Sequence, residues 1–135
     1  MVPLRVNVMT FNVWGNTFWP ERRHALQETV LRADPDIVLL QEITPEILEA
    51  LDDTLTSHNR IRNNAEETGF ARIFTKGWTT ESQIYYRKSM FDLVESGYED
   101  LETLDHPDRG LFWARFLNEE TGVIFIAATC HMPWA

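Results

Sequence analysis

The chain has 135 residues, 44% apolar and 24% charged, which are ordinary globular values at a length that suits one domain. Its net charge of −9, from 21 acidic and 12 basic residues, argues against a surface built to bind long polyanions unaided, because that affinity rests on Lys and Arg neutralising phosphates. The single Cys130 excludes an internal disulfide; no apolar run approaches the length of a membrane span, and the first residues lack the basic-then-apolar pattern of a signal peptide.

In chain order, Leu4 to Val13 is rich in Val, Phe and Leu and reads as a strand that stops at polar Asn12. Gly15 to Trp19 is a loop, and Pro20 suits the first helical position. A helix then runs to Ala33, with Ala25, Leu26, Thr29, Val30 and Ala33 as its buried stripe and Glu21, Arg22, Arg23, Gln27 and Arg32 on its solvent side. Asp34, pushed out of the helical region by Pro35, ends it. Ile37 to Gln41 is an unbroken apolar strand, so the opening is a β-α-β unit with parallel strands.

Thr44 with Pro45 behind it predicts a second helix cap, and Ile47, Leu48, Leu51 and Leu55 its apolar face. Residues 57–68 read as an exposed polar loop. From Gly69 onward the pattern changes to strands without helices. Phe70 to Phe74 is a short candidate, Ser82 to Arg87 and Met90 to Ser96 predict one hairpin, and Leu111 to Leu117 and Val123 to Ala128 predict another. The last of these is apolar throughout and is expected to be central and covered on both faces.

The chemistry concentrates where two strands end. Met9-Thr10-Phe11-Asn12 and Val38-Leu39-Leu40-Gln41-Glu42 each turn polar at the carboxyl end, the end at which open α/β sheets bind ligands. An amide and a carboxylate are hard oxygen donors suited to Mg²⁺. Taken singly, a strand-terminal Asn is a turn former and a strand-terminal Glu a solvated charge; their order, with one helix between them, favours the site. This pair resembles the first two motifs of the endonuclease/exonuclease/phosphatase superfamily, whose fold is DNase I-like. The resemblance continues through Glu81 to Lys88, Phe91 to Gly97, Arg109 followed by Phe112 to Phe116, and a final apolar strand ending in Thr129-Cys130-His131.

The resemblance implies a metal-dependent phosphoesterase with a phosphate-ester substrate, nucleic acid or small molecule. It implies Glu42 as the carboxylate holding Mg²⁺ (or Mn²⁺), Asn12 as the amide supporting that ion or the phosphate, and His131 as a hydrogen-bond donor to the scissile phosphate. Glu81 and Arg109 are expected to contact substrate, against a plain surface or hairpin role. His24, His58 and His106 are expected to be solvated. Two departures stand out: Trp14 occupies the place where many nucleases of the family carry Asp, and the later Gly-Asp-x-Asn and Asp-His motifs do not occur. The five tryptophans either line a cleft or simply pack.

The fold expected is therefore α/β, part of a four-layer sandwich of the DNase I-like type, as two layers: one mixed sheet with both helices on one face. The chain is expected to form the N-terminal part of such a domain, with half of the active site. The sheet face left bare by the helices invites a homodimer, and a non-catalytic, self-associating half domain is the rival reading.

Overall fold

The computed structural model describes residues 3–62, 82–101 and 110–132. Strand β1 (Val8–Asn12) leads into helix α1 (Arg23–Ala33), strand β2 (Ile37–Gln41), helix α2 (Pro45–Thr54) and a short strand β3 (His58–Arg60). Strands β4 (Ser82–Arg87), β5 (Asp92–Asp100), β6 (Gly110–Asn118) and β7 (Val123–Cys130) follow. The candidate strand at 70–74 lies outside the described residues, as do Trp78 and His106.

The β-α-β opening forms as expected: β1 and β2 are parallel in register, Val8 opposite Ile37 and Asn12 opposite Gln41. Helix α1 begins later than Pro20 and buries only Leu26 and Val30 of the expected stripe. It stops at Asp34, which takes a left-handed φ of 43° ahead of Pro35. Helix α2 is capped by Thr44, whose hydroxyl accepts from the Ile47 N–H, and Ile47, Leu48, Leu51 and Leu55 are all buried.

The strands divide into two sheets rather than one. A mixed four-stranded sheet has the order β1-β2-β4-β3, and an antiparallel three-stranded sheet the order β5-β6-β7. Strand β7 packs on β2 and β4, and β6 on β4, so the chain builds three layers: helices, mixed sheet, second sheet. Alternation along the strands produces this. Val38, Leu40 and Tyr85 face the helices and join Leu26, Val30, Ile47 and Leu51 in one core. Ile37, Ile84 and Tyr86 face the other way and meet Phe112, Ala114 and Phe116 in a second. Each fully buried aliphatic side chain there contributes about 1.5–3 kcal/mol.

Three expectations are corrected by this division. Strands β4 and β5 are sequence neighbours but not a hairpin: β4 pairs with β2 and β3, β5 with β6. The β6–β7 hairpin does form, yet among the described residues β7 is an edge strand, not a central one. Its outward side chains, Ile124 and Ile126, are 59% exposed. The bare face thus belongs to the second sheet, because that sheet itself covers the inner face of the first. Among the described residues no helix is long and apolar enough to cross a membrane.

Candidate active site

At the carboxyl end of β2 the backbone leaves the sheet abruptly. Glu42 has φ 55°, a left-handed conformation unfavourable for a residue with a side chain. Val13 N–H still donates to the Gln41 carbonyl, and Gly15 N–H donates to the Glu42 carbonyl at 2.9 Å. These bonds tie the loop after β1 to the turn after β2, and the two side chains meet as a result. The Asn12 Nδ2 donates to Glu42 Oε1 at 3.1 Å, while the Asn12 Oδ1 accepts from the Trp14 N–H at 2.9 Å. Asn12 thus forms the turn through its oxygen and holds the Glu42 carboxylate through its nitrogen.

His131 arrives from the other sheet, just beyond the end of β7. Its Nε2 lies 3.2 Å from the same Glu42 Oε1; because a carboxylate oxygen accepts, that nitrogen carries the proton. The two side chains are partly buried, 17% and 30% exposed. The second Glu42 oxygen makes no hydrogen bond among the described residues.

What holds the two sheets in register at this point is Gln41. Its Nε2 donates to Thr129 Oγ1 on β7 at 2.8 Å and lies 3.1 Å from Thr10 Oγ1 on β1. Thr129 is 4% exposed, so the bridge is shielded from water and correspondingly firm.

The loop that follows Asn12 is organised by Arg22. Its guanidinium donates to the carbonyls of Val13, Gly15 and Thr17 at 2.9, 2.9 and 2.7 Å and sits 5.5 Å from the centroid of the Trp14 ring. Sequence reasoning placed Arg22 on the solvent side of a helix and read Gln41 only as Glu42's neighbour. The partners of both are backbone carbonyls or residues far along the chain, which no local pattern reveals. The expectation that His58 is solvated is also corrected: it is partly buried and its Nε2 donates to the Pro35 carbonyl. Glu81 and Arg109 lie outside the described residues.

The structure thus brings together Asn12, Glu42 and His131 from three strand ends. Of these groups only the Glu42 carboxylate offers an oxygen to a hard cation, since the Asn12 oxygen accepts from the Trp14 N–H and the Asn12 and His131 nitrogens point their N–H groups at Glu42. Among the described residues no three His, Cys, Asp or Glu side chains converge as an ion-binding group.

The sequence pattern of the Endonuclease/Exonuclease/phosphatase family matches residues 9–134. The chain belongs to that family. No curated protein sequence matches it. Among solved structures, D. rerio TDP2 complexed with single-strand DNA product is similar with a TM-score of 0.75 at 21% identity, covering 96% of this chain and 47% of that one. The human Nocturnin catalytic domain with bound sulfate gives 0.72 at 19% identity, over 96% and 50% of the two chains. The mannosyl-6-phosphatase of Bacteroides thetaiotaomicron gives 0.72 at 23% identity, over 95% and 52%. The family member described here has the DNase I-like α/β fold of these proteins, and it spans about half the length of each.

Proposed function

We propose that this chain carries the first half of the active site of a divalent-metal-dependent phosphoesterase. The observation that carries the reading is the convergence of Asn12, Glu42 and His131 on one carboxylate oxygen from three strands and two sheets. Glu42 would hold Mg²⁺ or Mn²⁺ through its carboxylate, with Asn12 beside it. The ion, when bound, supplies positive charge that offsets the charge on a phosphoryl oxygen during in-line attack by water. Asn12 fixes the Glu42 side chain by its amide hydrogen bond. His131 offers its Nε2–H, aimed at present at the carboxylate, as a donor to a phosphate oxygen.

None of these three groups is placed to activate the water or to hold the ion from the opposite side. A site with so few charged ligands binds hard cations weakly, and incomplete positioning lowers the rate steeply. Hydrolysis of bis-p-nitrophenyl phosphate with Mg²⁺ or Mn²⁺ by the 135-residue chain should therefore give only trace turnover. A product extended to the length of the solved relatives should restore it. Robust turnover by the short chain, abolished in Glu42→Ala, would contradict the half-site.

A second reading is a non-catalytic half domain that pairs with a second copy of itself. It draws on the exposed Ile124 and Ile126 of the outer sheet face, since large bare apolar patches are unusual on a monomer. Sedimentation at micromolar concentration separates the two, a clean monomer eliminating the second.

A further inference from the structure

Asn12 can meet Glu42 with either end of its amide, since a half-turn about its last side-chain bond exchanges oxygen and nitrogen. Which end arrives decides what the residue does. The nitrogen donates to the carboxylate and holds it, whereas the oxygen would set two acceptors against each other. One backbone group makes the choice. The Trp14 N–H donates to Asn12 Oδ1 at 2.9 Å, a bond that only the oxygen can accept, and Nδ2 is thereby turned to Glu42 Oε1.

Trp14 does not aim that N–H by its own preference. Its φ is 61°, a left-handed conformation that is costly for a bulky residue and persists where the surrounding structure imposes it. Two sets of bonds impose it. On one side the N–H groups of Val13 and Gly15 donate to the Gln41 and Glu42 carbonyls at 3.0 and 2.9 Å. On the other, the carbonyls of Val13, Gly15 and Thr17 all turn to the Arg22 guanidinium, at 2.9, 2.9 and 2.7 Å. Three carbonyls converging on one point need several N–H donors in a fixed fork. Arginine supplies that fork, and a lysine ammonium has the charge without the span. Arg22 is itself anchored by α1, as its N-cap residue, with its carbonyl accepting from the Leu26 N–H at 2.9 Å.

We propose that Arg22 is a positioning residue of the half-site: by fixing the backbone on both sides of Trp14, it sets the Asn12 amide with its nitrogen toward Glu42. The inference deepens the phosphoesterase reading and rests on it, since the carboxylate so held is the one that receives the cation. His131 reaches the same oxygen from the second sheet, without passing through the loop, and serves as a control.

The test is NMR of the isotope-labelled full chain as wild type, Arg22→Lys and Trp14→Leu, with Mn²⁺ affinity measured on each and on Glu42→Ala. Without metal, the wild type should show one Asn12 Nδ2 proton shifted downfield of the other by its bond to Glu42. Arg22→Lys should move both to the values of an unbonded Asn and leave the His131 and His58 rings unchanged. Trp14→Leu removes the cation–π contact but leaves the fork, and should keep the wild-type Asn12 pattern. Mn²⁺ binding should weaken about fivefold in Arg22→Lys, the worth of one hydrogen bond. Unchanged Asn12 signals in Arg22→Lys, or an equal loss in Trp14→Leu, would overturn the proposal. So would collapse of the whole spectrum in Arg22→Lys, which would make Arg22 a holder of the fold rather than of the amide. Mn²⁺ affinity that ignores Arg22→Lys but is lost in Glu42→Ala would overturn the positioning role and leave the phosphoesterase reading standing. Mn²⁺ affinity that ignores Glu42→Ala, with the Asn12 signals responding as expected, would overturn that reading and leave Arg22 as the residue that orients Asn12.

Discussion

The two ends of strand β2 make opposite use of polar residues. At its amino end Asp36 accepts from the Asn7 N–H at 2.9 Å and from Arg87 Nε at 2.9 Å. Arg87 also pairs with Asp34 Oδ1 at 2.7 Å and reaches the Pro35 carbonyl, which in turn accepts from His58. One guanidinium answers both carboxylates there, and Arg87 and Asp36 are 18% and 12% exposed. At the carboxyl end Glu42, Trp14 and Phe18 hold left-handed backbones, two donors share one carboxylate oxygen, and aromatic rings face solvent. One end closes the fold and the other keeps groups available, as expected of a sheet that binds at the carboxyl ends of its strands. Strain at the open end is affordable because the closed end and the two cores hold the strand in place.

The comparison breaks most visibly at Asp36. Asp36→Ala would leave the largely shielded Arg87 guanidinium without one of its two carboxylate partners and should destabilise the chain by about 2–3 kcal/mol. Urea denaturation measures this, and a loss below about 0.5 kcal/mol would mean the amino end is not the structural clamp described. Gln41→Leu should be milder, about 1 kcal/mol for the lost bridge. It should also disturb the ring resonances of His131 more than those of His58, because the bridge docks β7 at the site. A stability loss of that size with an unchanged His131 environment would remove Gln41 from the half-site.

A smaller effect concerns pH. His58 Nε2 donates to Pro35 at 2.7 Å, and its Nδ1 is buried with no partner among the described residues. Protonation would add a charge in a desolvated place where Nδ1 has no acceptor. Burial therefore lowers its pKa, with the Arg87 charge adding to the effect, while the Pro35 carbonyl, Asp34 and Asp36 act against it. The unfolded chain binds the proton first, so stability is full above about pH 6.5, the ordinary His value, and falls as pH drops through that value towards the lower folded-state one. In His58→Gln the fall in that window should shrink. An unchanged fall would assign it to other groups.

Much of the architecture was legible in the sequence because periodicity and caps are local. The Thr44–Pro45 start of α2, the helix stop at Asp34 ahead of Pro35, and the parallel pairing of β1 with β2 all follow from neighbouring residues. The division into two sheets was not legible. Alternation along β4 tells that both faces are buried, not whether the second face meets a helix or another sheet. The same limit applied to β7, whose apolar run read as a central strand although its outer side chains are exposed. In the candidate site, motif order pointed to Asn12, Glu42 and His131, which the structure brings together, whereas Arg22, Gln41 and Thr129 act through contacts 5 to 88 residues apart in the chain.

The central claim is that Glu42 is the cation-holding carboxylate of a half-site shared with Asn12 and His131. Substoichiometric Mn²⁺, added to the isotope-labelled chain, broadens NMR signals close to the ion. The account predicts selective broadening of the Asn12 side-chain amide and the His131 ring, with the His58 ring and the Arg87 guanidinium unaffected, and loss of that pattern in Glu42→Ala. Broadening that is spread evenly over the acidic surface, or that persists at Asn12 and His131 in Glu42→Ala, would contradict it.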